Sequence, residues 1–344
     1  MRVGILTGGG DCPGLNTVIR GLVLAGVKRY GYEFIGFRDG WKGPIENLTM
    51  PITPDDVRPM YDVGGTMLGT SRTNPLSDPA LIEAIKGNLA SNNIDVLVAI
   101  GGDDTLGVAT ALAAMGVSAI GVPKTIDNDL SATDTTFGFD TAVAIATEAV
   151  DRLHTTARSH HRVLVAEVMG RHAGWIALYT GIAAGADYTM LPEKETDLAE
   201  LCLAVNREFG PQRKNYAVVV VSEGAVLAQQ IGMATQDESR DAFGHVKLGG
   251  IGKQVANAIE AETGHETRDV LLGHIQRGGS PTANDRVLAT RYGIFAAEMI
   301  NAGQFGQMAA LQGNAIVAVP LDKATDETKT VGGQWFPILD IVNS

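Results

Sequence analysis

The chain has 344 residues, 45% of them hydrophobic, and carries 27 Lys and Arg against 39 Asp and Glu, a formal charge of -12. Such a length can bury two lobes' worth of core, while the acidic balance leaves no long basic stripe to neutralise a nucleic acid or an anionic membrane. Cys12 and Cys202 belong to no CxxC or Cys/His cluster, which speaks against a zinc site or a disulfide framework, and with no basic-plus-apolar leader and no 18-residue apolar span the expected location is cytoplasmic.

In chain order, short β-branched apolar runs predict strands at Val3 to Thr7, Phe34 to Phe37, Val96 to Ile100, Ala119 to Val122, Val163 to Val168, Ala217 to Val221 and Val270 to Leu272. Their near-continuous hydrophobicity suits strands buried on both faces of a parallel sheet. Glycine-rich turns and helical patterns follow them. Between Asp140 and Thr156, Ala142, Ile145, Ala146, Ala149, Val150 and Leu153 recur at three- and four-residue spacing and form one apolar stripe. Repeated strand, turn and helix indicate an α/β fold with parallel sheets. A lobe change is expected near Gly138, and the polar segment Gln229 to His245 reads as a surface excursion.

The turn from Thr7 to Asn16, TGGGDCPGLN, leads into an amphipathic pattern. Its glycines permit close backbone approach to an anion at a helix start, and equally suit a plain tight turn. A similar turn, Gly64 to Arg72, adds an arginine able to fork onto phosphate oxygens. Most informative are Gly101-Gly102-Asp103-Asp104-Thr105 and Pro123-Lys124-Thr125-Ile126-Asp127-Asn128-Asp129. They place four carboxylates and one lysine at two strand ends, the edge where ligands bind in open α/β sheets. So many acids beside one ammonium call for a cation or a phosphate, hence metal-assisted phosphate chemistry.

With Gly8 to Asn16, Gly64-Gly65-Thr66, Gly101 to Asp103, Thr125 to Asp129, Val168-Met169-Gly170-Arg171 and Leu272 to Pro281 (LGHIQRGGSP) in that order over most of the chain, the sequence resembles the 6-phosphofructokinase family. The resemblance implies two lobes, each a mostly parallel sheet flanked by helices, with the active site in the cleft between them. Residues 1–138 plus about 276–325 would hold the phosphoryl donor, and 139–275 plus about 326–344 fructose 6-phosphate. It further implies Asp127 as the general base and Asp103 as a Mg2+ ligand assisted by Asp129, which also suits a turn aspartate. Thr125, Arg171 and Lys124 would act on the transferring group, with Gly10, Arg72 and Gly102 around the donor. Arg162, Arg268 and His274 would bind the 6-phosphate, with Met169, Gly170, Glu223 and Arg277 on the sugar. In the family the arginines matching Arg162 and Arg268 reach in from a neighbouring subunit, which implies a homodimer or homotetramer with shared sites.

Two departures from ATP-dependent members bear on the donor. Asp104 and Lys124 stand where those members carry glycine, and the pair resembles the pyrophosphate-dependent branch. An aspartate fills the space of the α-phosphate and ribose and repels the former, while a lysine suits a compact diphosphate. The expected reaction is therefore reversible transfer from pyrophosphate to fructose 6-phosphate, the alternatives being an ATP-dependent or sedoheptulose 7-phosphate kinase of the same fold, or an inactive sugar-phosphate-binding regulatory subunit. Arg20 survives from the family's effector site, but Leu24 and the altered segment Arg213-Lys214-Asn215-Tyr216 predict weak or absent allosteric control.

Overall fold

The computed structural model describes residues 1–228, 235–240, 242–244 and 246–343. Its first sheet has seven strands. In chain order these are β1 (Arg2–Thr7), β2 (Glu33–Phe37), β3 (Thr49–Ile52), β4 (Val96–Gly101), β5 (Ala119–Pro123) and, after a long excursion, the strands Gln307–Gln312 and Ala315–Pro320, here β12 and β13. The second sheet comprises β6 (Val163–Val168), β7 (Tyr188–Met190), β8 (Ala217–Ser222) and β11 (Thr267–Leu271). A ribbon of β9 (Thr235–Arg240) and β10 (Val246–Leu248) is antiparallel. It occupies the described part of the expected surface excursion, whose residues 229–234, 241 and 245 lie outside the described residues.

The first sheet runs β13-β12-β5-β4-β1-β2-β3, parallel except at its two edge pairs, and the second runs β11-β6-β8-β7, all parallel. Strands alternate sides as the period of two requires. Val96, Val98 and Ile100 of β4 face α1 (Leu15–Ala25) and the later helix Ala283–Asn301, here α10, whereas Leu97 and Ala99 face α4 (Pro79–Ser91) and α5 (Asp103–Ala114). In the second sheet Leu164, Ala166 and Val168 join the same core as α1 and α10, through α6 (Phe139–His160) and α7 (Trp175–Ala184). Val163 and Val165 face α8 (Leu198–Arg207) and α9 (Ile251–Thr263). One continuous hydrophobic layer thus joins the lobes and holds the cleft between them.

Several expectations need amending. The stripe helix begins at Phe139 and continues to His160. The run Val270 to Leu272 overlaps only the last two residues of β11, which starts at Thr267, ends at Leu271 and exposes Arg268, Asp269 and Leu271 because it is an edge strand. Six strands escape a search for apolar runs: β3, TMPI, carries a proline on an edge, where a missing donor is tolerated, β7 has three residues, β9 and β10 lie in or beside the polar excursion, β12, QMAALQ, lacks β-branched residues, and β13 is only partly buried. Among the described residues no helix is long and apolar enough to cross a membrane.

The layer depends on close passage of α1 and α10. A Cβ at Gly293 would lie 2.2 Å from the Val18 carbonyl oxygen and 2.7 Å from the Leu22 nitrogen, both backbone atoms that cannot rotate away. Alanine would gain about 0.5–1 kcal/mol of helix propensity but meet an overpacking cost of about 1–3 kcal/mol. G293A should therefore lower the urea midpoint, while G87A, where an added Cβ meets nothing within 4 Å, should leave it unchanged or raise it.

Candidate active site

The first sheet reverses its winding between β1 and β4, since β2 lies beyond one and β5 beyond the other. Such a switch point opens a crevice at the carboxyl ends of the strands. Here the turns after β1 and β4 interlock: Gly8 N–H donates to the Ile100 carbonyl at 2.9 Å, and a Cβ at Gly8 would stand 2.5 Å from the Thr105 hydroxyl. Gly102 is the N-cap of α5, so Asp103 and Asp104 fall in its first turn, where exposed amides favour negative charge. Gly10, Gly102, Asp103, Asp104 and Arg72 line one cleft with Lys124, Thr125, Asp127, Arg171 and Arg277, in a free space of about 50 Å3. A larger cavity, about 230 Å3, lies under the C-terminal helix Phe336–Val342 and contains none of these residues. Ser71 and Thr105, within two of the turns found in the sequence, also line the cleft, as do Trp41 and Phe243, which carry no motif by which sequence could have found them.

β5 delivers the lysine and the acids. Lys124 is buried, and its ammonium donates to the Gly10 carbonyl at 2.5 Å. Burial lowers its pKa below the usual lysine range, against the opposing pull of Asp127 and Asp103. Asp127 donates its N–H to the Thr125 hydroxyl at 3.0 Å, and its Oδ1 is buried without a hydrogen-bond partner. Such an orphan acceptor costs about 1–3 kcal/mol, a cost that a reacting hydroxyl or a cation would remove. Asp129 is pushed up to about 7, by burial first and then by Asp127 and Asp103. Cys12, behind the first turn, is buried and driven to about 12, so it is an inert thiol.

The facing wall comes from the second sheet. After β6 the chain takes positive φ at Gly170 (142°) and Arg171 (52°), which turns Arg171 into the cleft. Its N–H donates to Glu223 Oε1 at 3.1 Å, and a Cβ at Gly224 would lie 1.9 Å from the Arg171 carbonyl oxygen, so the turn is locked to the end of β8. Glu223 is pushed up to about 7, by burial first and then by Asp127. Met169 N–H donates to the buried Gln276 side chain at 3.3 Å, and the Arg277 guanidinium lies against Gly10, where a Cβ would stand 2.7 Å away. His274 is exposed in the turn Gly273–Arg277.

Arg162 and Arg268 are elsewhere. Arg162 precedes β6 and Arg268 pairs with Leu164, so both sit at the amino ends of their strands, roughly 15 Å of strand from the cleft. There they share Glu266, at 2.8 Å from Arg162 and 2.6 Å from Arg268. The fold of one chain does not bring them to Asp127. Among the described residues no group of three or more His, Cys, Asp or Glu forms a ready-made cation cage. Mg2+ does not demand one, because it is usually held by one or two carboxylates plus phosphate oxygens and water. The orphan oxygen of Asp127 and the mutual repulsion among Asp103, Asp127 and Asp129 fit such an ion.

The raised carboxyls give a signed prediction for protein free of divalent cations and sugar phosphates. Glu223 titrates near 7 when folded against 4.5 unfolded, so the folded state binds the extra proton and its contribution is full below about 4.5 and lost as pH rises through 7. E223Q should therefore be more stable than the parent at pH 8 by about 1–3 kcal/mol and no more stable at pH 4. Thermal melts across that range check the crossing.

A phosphofructokinase profile matches residues 2–300. The chain is 57% identical over 333 residues to pyrophosphate--fructose 6-phosphate 1-phosphotransferase of Streptomyces coelicolor, covering 96% of each, and 48% identical over 332 residues to ATP-dependent 6-phosphofructokinase of Corynebacterium efficiens, covering 96% of this chain and 95% of the other. Its fold matches phosphofructokinase from Saccharomyces cerevisiae with a TM-score of 0.82 at 31% identity, over 94% of this chain but only 45% of the longer yeast chain. A seven-stranded sheet with an acidic switch point, a second parallel sheet facing it, and this breadth of similarity place the chain in the phosphofructokinase family.

Proposed function

We propose that the protein transfers a phosphoryl group from pyrophosphate to the 1-hydroxyl of fructose 6-phosphate, releasing phosphate and fructose 1,6-bisphosphate, and runs in both directions. The observation that carries the donor assignment is the buried Lys124 ammonium on the Gly10 carbonyl, in the cleft that Asp104 also lines. A buried ammonium beside a carboxylate suits a compact, highly charged diphosphate and opposes a bulkier nucleotide. The relative at 57% identity, a pyrophosphate-dependent phosphotransferase, supports the same reading. ATP is the donor of the relative at 48% identity and is the competing assignment.

In this reading the sugar O1 attacks one phosphorus as the bridging P–O bond breaks, and its proton passes to the orphan Oδ1 of Asp127. Thr125 and Arg171 hold the transferring group, while Lys124, Arg72 and the amides at Gly10 and Gly102 neutralise the departing phosphate. Magnesium, when bound, would neutralise donor oxygens, and Asp103 and Asp129 are the residues to hold it. His274, Arg277, Met169, Gly170 and Glu223 orient the sugar phosphate. Arg162 and Arg268 complete that site from a neighbouring copy, so the working unit is a homodimer or homotetramer.

Control by nucleotide or phosphoenolpyruvate is weak in this proposal. Lys214 is already engaged by Asp187 and by Glu208 at 3.7 Å, and it lies 4.8 Å from the Tyr216 ring centre, with Arg158 at 5.6 Å. An effector phosphate would have to break an ion pair to use it.

Purified protein given Mg2+ and fructose 6-phosphate should turn over with pyrophosphate, show a hyperbolic sugar-phosphate response and ignore ADP and phosphoenolpyruvate. Activity with ATP alone would reject the donor assignment, and silence with both donors would favour a regulatory subunit. D104G combined with K124G should raise kcat/KM for ATP about tenfold or more, roughly 1.4 kcal/mol of differential binding. D127N should lose about 10²–10⁴-fold in kcat. If the sites are shared, mixing inactive D127N with inactive R162A under conditions that exchange subunits should restore part of the activity, because one mixed site then has both residues intact. A mixture as inactive as its components would sink the shared-site model.

A further inference from the structure

The loop that carries Asp127 contains a residue in a sparsely populated backbone conformation. Asn128 sits at φ 53°, in the left-handed region, between the general base and Asp129. Asparagine tolerates this region better than most residues other than glycine, and here its contacts fix it there. The surroundings are specific. Asn128 is buried, and its side-chain oxygen accepts from Thr136 N–H at 3.2 Å and from the Lys329 ammonium at 2.9 Å. The same ammonium donates to the carbonyls of Thr133 and Asp134, each at 3.0 Å, so its three N–H bonds are spent on one loop. The Lys329 main-chain N–H donates to the Asp129 carbonyl at 2.8 Å, and Thr328 forms an antiparallel bridge with Leu130.

The segment that supplies Lys329 is tied equally to the other wall of the cleft. Trp175, at the start of α7, donates its indole N–H to the Lys329 carbonyl at 2.8 Å, and its ring lies 5.9 Å from the ammonium. Two residues on, Val331 N–H donates to Glu193 Oε1 at 2.8 Å, and the same oxygen accepts Gly174 N–H at 2.9 Å. Residues 328–331 thus form a strap with one edge on the loop of Asp127 and the other on the loop that follows Arg171.

We infer that Lys329 is a positioning residue for the phosphoryl transfer, locking Asn128 in its left-handed state so that Asp127 and Asp129 keep their places opposite Arg171. The inference rests on the function proposed above. Lys329 touches neither donor nor sugar in this reading, so its loss acts on the transition state rather than on binding.

The test is a double-mutant cycle. K329M should lower kcat about tenfold to a hundredfold, with the KM for fructose 6-phosphate within about twofold of the parent. N128G supplies a residue that adopts the left-handed conformation unaided and removes the acceptor. In that background K329M should cost at least about threefold less than it does in the parent. Equal fold-losses in both backgrounds, or a loss falling on KM with kcat unchanged, would overturn the inference. Thermal melts accompany each variant, and should K329M not fold, K329Q carries the same cycle. Parent turnover is measured alongside with pyrophosphate and with ATP. Turnover by the parent with an unaffected K329M defeats this inference alone, whereas a parent silent with both donors defeats it together with the proposed reaction.

Discussion

The site depends on holding like charges together, Asp127 and Glu223 buried, Asp129 half-buried and Asp103 exposed at the edge of the cleft. Asp103, Asp127 and Asp129 converge from two strand ends, Glu223 faces them from the second sheet, and Lys124 is the lysine buried among them. Left alone this arrangement is unfavourable, and the protein registers it as proton uptake, with Asp129 and Glu223 both driven to about 7. The strain is tolerable because the large apolar layer shared by both sheets stabilises the fold independently of the site. It is useful because a polyphosphate with its cation relieves it on arrival, so that binding completes an electrostatic arrangement prepared in advance.

The division into two sheets answers a geometric need. Donor and acceptor are both anionic and must be brought within bonding distance, which is easier if separate rigid elements hold each one. The turns after β1, β4 and β5 form one wall and the turns after β6, β8 and β11 the other, and the shared layer of α1, α6, α7 and α10 fixes their separation. Arg277 crosses from the second wall to Gly10 on the first, and the strap through Lys329 crosses behind. Relative placement of the walls therefore rests on a few polar contacts superimposed on a hydrophobic base.

The parts legible in the sequence are those whose signal is local. An apolar β-branched run followed by glycines and acids marks a buried strand ending in a ligand turn, so GGDDT and KTIDND could be placed at sheet ends without a structure. Most interior strands were legible for the same reason, since burial on both faces leaves them uniformly apolar; β12 was not, because its QMAALQ has polar ends and no β-branched residue. Edge strands were missed, as β3 and β13, or caught only in part, as β11, because they mix polar and apolar residues as half-covered strands do. Trp41 and Phe243 were illegible because an aromatic residue on a cleft wall looks like any core aromatic. Lys329 was hidden by distance, being 201 residues from the asparagine it holds.

Donor choice is separable from the chemistry for a reason that follows from this layout. In the proposed reaction the atoms that react meet at the end of β5 and the facing Arg171 turn, whereas Asp104 lies one residue into α5 and Lys124 reaches sideways to the Gly10 carbonyl. Changing those two positions alters the room and charge offered to the far end of the donor while leaving Asp127, Thr125 and Arg171 on their own backbone supports. Specificity is a difference between two binding free energies, so a change that penalises one donor by about 3 kcal/mol suffices for a preference above a hundredfold. On the proposed roles, with Asp104 and Lys124 set apart from Asp127, Thr125 and Arg171, the same layout suits relatives of 57% and 48% identity that are named for different donors.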